Sequence, residues 1–516
     1  MPPTHPASTL QVPAPPAVYA DRLASEACNL SPVEGRHRLD GALAARLRSV
    51  VGPEALIDQP ERLRVYEQDA FTLLRALPCA VVFPADTAEA SAVMAMLHEA
   101  GVPVVPRGAG TSLSGGTVAH HEAVLVSTAR MKRVLEVDRL GRVAHVQAGL
   151  ANAELGRHVA PLGLTYAPDP SSANSATIGG NIATNAGGPH TLKAGVTSRY
   201  LLGVRAVLAD GRVVQAGGPL AEMPDSPLLA GFCGTEGLCG LVCEAWVRLS
   251  RRQNAARTTL AVFDAVEQAA RCVGELLASG VMPVAIEMMD HHMIGVVEAA
   301  SPTGLPADAA AVLIIEIEGV EAELDEQQSV VSSICRACRA REPLGVAADP
   351  QRRAELWKAR KRAFGAIGRL SPTYCTQDGV VPPSALPHMM QAIGQIGRRY
   401  GLSIGNVFHA GDGNIHPILL YREQDADQVR RVIAASEEIL AECVRVGGSI
   451  TGEHGIGLEK RAQLRLMFSE ADLLPMRAVR DCFDPEHRLN RSKVFAEPGE
   501  DESLTSLVRP MRCAPQ

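Results

Sequence analysis

An α+β fold of two or three domains is what this sequence predicts, and three observations predict it. At 516 residues the chain is too long for one core. Apolar runs of strand length alternate with amphipathic helical stretches in both halves. Glycine-rich loops interrupt the first half, whereas the second is regular until two histidine- and glycine-rich segments close to its end. Hydrophobic residues make up 46% of the chain and charged ones 21%, a composition that folds.

Residues 1–36 are rich in Pro, Ala, Ser and Thr without periodicity and read as a disordered extension. They hold no apolar core of signal-peptide length, and no run in the chain approaches a membrane span, so a soluble, cytoplasmic protein is expected. The formal charge of −7 has no long blocks, which argues against nucleic acid and against a polybasic membrane anchor. Twelve cysteines sit mostly singly in apolar or helical surroundings, the usage of a reducing compartment. The one CxxC, Cys335 and Cys338, lies in a helical stretch with no second pair at zinc-knuckle spacing, and it reads as structural. No run of cysteines suits an iron–sulfur cluster, which would have to come from a partner.

From Ala80 the chain reads strand, helix, strand: CAVVFPAD, then TAEASAVMAMLHEAG with Thr87 as N-cap, then VPVVP. RGAGTSLSGG follows at 107–116. Successive N–H groups there can form a nest for phosphate oxygens, to which Arg107 adds positive charge. The strand-like TVAHHEAVLVST comes next instead of a helix, which disfavours a Rossmann-type nicotinamide site, and no Gly-Lys-Ser/Thr ends the segment as in a Walker loop. Residues 168–200 form a long polar, glycine-rich stretch whose only charged residue between Ser171 and Ser198 is Lys193, the composition of a loop wrapped on a ligand. LLGVRAVLADGRVVQAG is a hairpin turning at Asp210-Gly211. A further glycine loop, GFCGTEGLCG, precedes a closing strand.

Beyond residue 253 helices and strands alternate, as in VEQAARCVGELLASG followed by VAIEMMD and later AAVLIIEIEG, which suits a compact α+β domain. In LWKARKRAFGAIGRL, helical spacing places Trp357, Arg360, Lys361 and Phe364 on one face. Cations on such a face either snorkel or point into a pocket. HAGDGNIH and GEHGIGLEK then bring His409, His416 and Glu453, an imidazole–carboxylate set suited to a catalytic divalent metal with open positions. His454 is left to act as a base. The clustered glycines suggest backbone that approaches a ligand closely.

PRGAGTSLSGG, DPSSANSATIGGNIATNAGG, GTEGLCGLV, WKARKRAFGAIGRLSPTY, FHAGDGNIHP and GEHGIGLEK, in this order, resemble the flavin-linked 2-hydroxyacid dehydrogenases of the vanillyl-alcohol-oxidase superfamily, of the glycolate oxidase large subunit and D-lactate dehydrogenase (cytochrome) type. The resemblance covers residues 40 to 498 or so. It implies a PCMH-type FAD-binding domain of two α+β subdomains at 37–252, a substrate- and metal-binding α+β domain at 253–498 acting as a lid, and a tail at 499–516. The resemblance places the FAD pyrophosphate on the first glycine loop, at Arg107, Gly108, Ala109, Gly110, Thr111, Ser112 and Gly115. Further cofactor contacts are implied at Pro168, Asp169, Ser172, Thr177, Gly179, Gly180, Asn181, Thr184, Asn185, Gly187 and Gly188 of the second, at Glu236, Gly240 and Val242 of the third, and at Asn490. The first loop has neither His nor Cys, so non-covalent FAD is expected. Leu238, Cys239, Pro383 and Arg491 depart from the family pattern.

The resemblance also implies the chemistry. Arg360 would clamp a substrate carboxylate as a bidentate fork, while snorkelling stays open, above all for Lys361. A divalent metal, zinc or else manganese or iron, would lower the pKa of the 2-hydroxyl, His454 would take its proton, and hydride would pass to the flavin to give a 2-oxo acid. D-lactate, glycolate and D-2-hydroxyglutarate are all open, the last calling for a second cation. Electrons would leave for a quinone, a cytochrome, an electron-transfer flavoprotein or an iron–sulfur subunit, through which the chain could meet the inner membrane; a homo-oligomer is a further open alternative. Two other readings stand beside this one. A metal hydrolase would not need the glycine regions, and an inactive flavin-binding subunit would lose the metal ligands.

Overall fold

In the computed structural model, residues 39–220, 227–300, 302–368, 371 and 373–508 are described, so the extension expected at 1–36 lies outside them. The first sheet has three parallel strands, Ala80–Val82, Val124–Ser127 and Val104–Arg107, with Leu56–Ile57 antiparallel at its edge. Thr87–Glu99 is the crossover helix between the first two parallel strands in sequence. Its N-cap is Asp86, whose carboxylate accepts from the Ala88 and Glu89 amides at 3.0 and 2.9 Å. Thr87, the expected cap, is the first helical residue and donates its hydroxyl to Glu244 instead. Because Val104–Arg107 ends at the top of this sheet, the first glycine loop leaves from a buried strand end.

The second sheet is antiparallel, in the order Val134–Asp138, Val143–Gln147, Leu241–Arg248, Leu201–Val207, Val213–Gly217. The hairpin at Asp210-Gly211 forms its far edge. The stretch 168–200 is not all loop. Thr177 caps a helix, Ile178–Thr184, by accepting the Gly180 amide on its hydroxyl, and Asn185 ends it in the left-handed region at φ 51°. Ile178 and Ile182 pack on Ala148, Val204 and Ala245, which fixes this helix against the sheet.

Eight strands from Ala255 onward make one antiparallel sheet whose path runs through Ala255–Phe263, Ala311–Gly319, Ala285–Asp290, Ile404–His409 and Asn414–Tyr421. Helices cover both faces, so its inner strands are apolar without alternation. Leu313, Ile315 and Ile317 meet the layer that contains Val266–Ala278, Glu321–Ala337 and Ala426–Arg445. Val312 and Ile314 meet the opposite layer of His291–Ala300 and Pro350–Ile367. Cys335 and Cys338 are buried thiols of the first layer. Residues 499–508, which the sequence assigns to a tail, are packed: Leu504 is buried in the first layer and Glu500 pairs with Arg461. Among the described residues no helix is long and apolar enough to cross a membrane.

Candidate active site

One cavity runs from the first glycine loop to the histidine cluster. It is lined by Arg107–Ser112, by Ser172, Thr177, Gly179, Gly180, Asn181 and Thr184, by Glu236, Gly240 and Val242, by Asn490, and at its far end by Lys361, Tyr374, His416, Glu453 and His454. Six of the residues assigned to the cofactor do not line it. Gly115 packs under Leu458 and Leu74. The Pro168 carbonyl accepts from Asn152, and the Asp169 carboxylate accepts from His190 at 3.2 Å and Lys361 at 3.4 Å. Asn185 accepts the Ser198 amide, a Cβ on Gly188 would meet the Asp169 carbonyl at 2.1 Å, and one on Gly187 would reach 3.1 Å from Glu453. These six hold the loops that the others present.

Many glycines serve contacts between loops. A Cβ at Gly108 would stand 2.4 Å from the Thr177 hydroxyl, so the first loop must be bare where the second crosses it. At Gly110, with φ +71°, a Cβ would meet the Arg107 guanidinium at 2.2 Å. That guanidinium donates to the Gln68 and Thr117 carbonyls and lies over the Tyr66 ring, so its bonds hold the loop. Burial depresses its basicity against the pull of the nearby Asp69. Ser114 accepts the Leu458 amide and donates to the His454 carbonyl. Glu236, at φ 52°, accepts the Ile456 and Gly457 amides at 2.6 and 2.8 Å, and Asn490 donates to the Glu236 carbonyl. The three glycine-framed loops are therefore laced together around the cavity.

The histidine cluster is set by strand register. Ile404–His409 and Asn414–Tyr421 form a hairpin in which Val407 faces His416, so His409 and His416 project from one face two positions apart. Glu453 reaches both: its Oε1 lies 3.3 Å from His409 Nε2 and 3.4 Å from His416 Nε2, while its Oε2 is buried with no hydrogen-bond partner. The other nitrogens are committed. His409 Nδ1 is 2.7 Å from Glu287, and His416 Nδ1 is 3.1 Å from the Gln377 carbonyl. Tying each Nδ1 to an acceptor leaves each Nε2 facing Glu453, as the ligand atom a bound cation would use. Burial pulls the His409 imidazole down, but the Glu287 and Glu453 carboxylates outweigh it and push it up to about 10. A proton thus bridges two carboxylates where a cation would satisfy them better, and this donor set fits a divalent metal.

A second triad, Asp378, His416 and His454, is close enough to ligate a metal but is already used. The Asp378 carboxylate accepts from Thr451 Oγ1 at 2.6 Å, from the Gly452, Glu453 and His454 amides, and from Lys460 Nζ. It is the anchor of the Glu453 loop. His454 stacks on His416 with centroids 4.9 Å apart, and burial holds its imidazole near 4, so it is neutral.

Arg360 lies behind the cluster, not on the cavity wall. Its side chain is 1% exposed and its Nε is 2.5 Å from Glu287, the carboxylate that also holds His409. Burial this complete rules out snorkelling for Arg360. Lys361, the next residue, lines the cavity and is half exposed. Trp357 donates its indole N–H to Glu316, while the Phe364 side chain lies outside those described. The sequence reading missed Glu287, Asp378, Gln377 and Lys460. A carboxylate in the middle of the apolar strand VAIEMMD was the available signal for Glu287, because buried strands carry charge only where it is paired.

Comparison with known proteins bears on what fills the cavity. Residues 78–217 match the family of the FAD binding domain, and residues 252–494 match that of the FAD linked oxidases, C-terminal domain. The glycolate oxidase subunit GlcD of Escherichia coli K12 is 40% identical over 464 residues, covering 88% of this chain and 93% of that protein. The chain belongs to the FAD-linked oxidases. A D-lactate dehydrogenase of Archaeoglobus fulgidus is 32% identical over 416 residues, covering 80% and 90%. As an FAD-linked oxidase this protein is an FAD-binding oxidoreductase. Two solved structures share the FAD-linked oxidase fold at a TM-score of 0.73: 4-ethylphenol oxidase from Gulosibacter chungangensis, 16% identical over 89% of this chain and 97% of that one, and p-cresol methylhydroxylase, 13% identical over 90% and 99%. The cavity fits the cofactor, since glycines and small side chains of the glycine-framed loops line much of it. Of the departures from the family pattern, Leu238 and Cys239 are buried in the core and Arg491 is exposed.

Proposed function

We propose that this protein oxidises a small 2-hydroxy acid of the D-lactate or glycolate type to the 2-oxo acid, with FAD held non-covalently and a divalent metal on His409, His416 and Glu453. The observation that carries this reading is the continuity of the cavity, whose glycine-lined end and histidine-lined end are one space. The names of the glycolate oxidase and D-lactate dehydrogenase relatives support the substrate class. When bound, FAD supplies a two-electron acceptor and the metal, zinc or else manganese or iron, a Lewis acid.

The chain's own residues do the rest. Lys361 meets the substrate carboxylate at the cavity wall, and the Arg360 guanidinium, fixed by Glu287, adds positive charge beside the cluster. His454, neutral and lining the same end, takes the proton from the substrate's 2-hydroxyl oxygen. The Asp378 anchor keeps the His454 backbone still while this happens. C2 gives up a hydride, the oxygen gives up a proton, and the electrons leave for a quinone, a cytochrome, an electron-transfer flavoprotein or an iron–sulfur subunit. The test is a panel of 2-hydroxy acids added anaerobically to the yellow protein: flavin bleaching by D-lactate or glycolate is expected, and bleaching by none of the panel would refute the reading.

A further inference from the structure

One carboxylate of the cluster lies off the cavity wall, where it touches no substrate. Glu287 lies on the central strand Ala285–Asp290, directly opposite His409 in the antiparallel ladder. Its neighbours two positions away, Ala285 and Met289, are apolar and buried. Nothing in the packing of this strand calls for a charge at its middle, and a buried ion pair in place of apolar side chains is seldom a gain in stability. Yet Glu287 is fully buried, with Oε1 2.7 Å from His409 Nδ1 and Oε2 2.5 Å from Arg360 Nε.

We propose that Glu287 is the positioning residue of the metal cluster: one buried carboxylate fixes His409 in the tautomer that presents Nε2 and holds the Arg360 guanidinium beside it. The two imidazoles differ in this respect. His416 rests its Nδ1 on the neutral Gln377 carbonyl at 3.1 Å with the Asp378 carboxylate 4.0 Å away, whereas His409 is hydrogen-bonded directly to the Glu287 anion at 2.7 Å, which raises the donor strength of its Nε2. Arg360 balances the charge of Glu287, so the pair is neutral and Glu453 alone supplies the anion that faces the cation. Affinity for the metal and the placement of Arg360 are thereby set by the same side chain.

This inference rests on the metal reading of the site. It is tested on FAD-loaded protein stripped of metal, titrated with zinc ion against a competing chelator, for the wild type, Glu287→Gln, Arg360→Met and the double variant. Glu287→Gln should weaken zinc binding ~10–100-fold, as loss of a partner behind a ligand does, with FAD content unchanged. Arg360→Met should lower thermal stability, because it strands a buried carboxylate. The double variant should regain that stability but keep the weakened zinc affinity, and it carries the test if Glu287→Gln alone folds poorly. A Glu287 that merely neutralises Arg360 predicts otherwise: zinc affinity would stay at the wild-type value or follow thermal stability through the four proteins, and either result overturns the proposal. If the wild type takes up no divalent metal at all, the metal reading itself fails, a result distinct from a wild type and Glu287→Gln that bind alike.

Discussion

Replacing His454 by alanine separates the chemistry of the imidazole from the architecture around it. The loop does not depend on the ring. The residue's amide is held by Asp378 at 2.9 Å and its carbonyl by Ser114 at 3.0 Å, and both bonds are made by backbone atoms that alanine keeps. The adjacent Glu453 amide is anchored by the same carboxylate. The ring's own contacts are a stack on His416 and a buried Nδ1 without a partner, so its removal leaves no polar group stranded. Metal and flavin should stay. A positioned base is worth ~10²–10⁴ in rate, or about 3–5 kcal/mol of barrier. Stopped-flow bleaching of the flavin at saturating substrate, with metal content measured on the same preparation, should show that loss. A metal-replete His454→Ala reducing its flavin at the wild-type rate would remove the residue from the mechanism, and a rate falling only in proportion to lost metal would make it a buttress.

Lys361→Met should raise KM for the 2-hydroxy acid by ~10–100-fold, the worth of one charged hydrogen bond, with FAD content unchanged; an unaltered KM would mean that Lys361 only lies along the surface. Gly110→Val should lower the ratio of FAD to protein. The sequence alone predicts this because a side chain would fill pyrophosphate space, but the structure gives a different cause: the Cβ displaces Arg107 from Gln68 and Thr117, at a φ that costs a β-branched residue ~1–2 kcal/mol. His190, between Asp169 and Glu316, bears on pH dependence. Burial lowers its imidazole, but the two carboxylates outweigh that and push it up to about 9. The stability this contributes is complete below the unfolded value of ~6.5 and is lost as pH rises through 9. Thermal unfolding from pH 6 to pH 10 should therefore decline more steeply in the wild type than in His190→Gln, and parallel curves would contradict the assignment.

The hairpin at Asp210-Gly211, the crossover helix and the strands of the second half were legible because each is written locally, in period and turn chemistry. His409, His416 and Glu453 were legible as a set because two short motifs carry them. Their partners were not. Glu287 meets His409 through strand register across 122 residues, and Asp378 meets the Glu453 loop across 75, distances at which local pattern says nothing. The helix Ile178–Thr184 was hidden by its composition, since GGN in its first turns reads as loop until Thr177 is seen to cap it. Of the adjacent cations Arg360 and Lys361, the sequence reading set Arg360 in the pocket and left Lys361 the more open to snorkelling, but one residue of helical rotation buries Arg360 behind the cluster and leaves Lys361 on the cavity wall, and only packing resolves it. The glycines signalled close approach, and the approach is largely of loop to loop.

Metal exchange tests the central claim most directly. FAD-loaded protein is mixed anaerobically with the best 2-hydroxy acid of the panel as isolated, after verified removal of metal, and after refilling with zinc, manganese or iron. The account predicts that bleaching disappears on removal while the flavin stays bound, and returns with at least one of the three ions. Undiminished bleaching by metal-free protein would contradict it, and would leave His409, His416 and Glu453 as a hydrogen-bonded cluster with no part in the reaction.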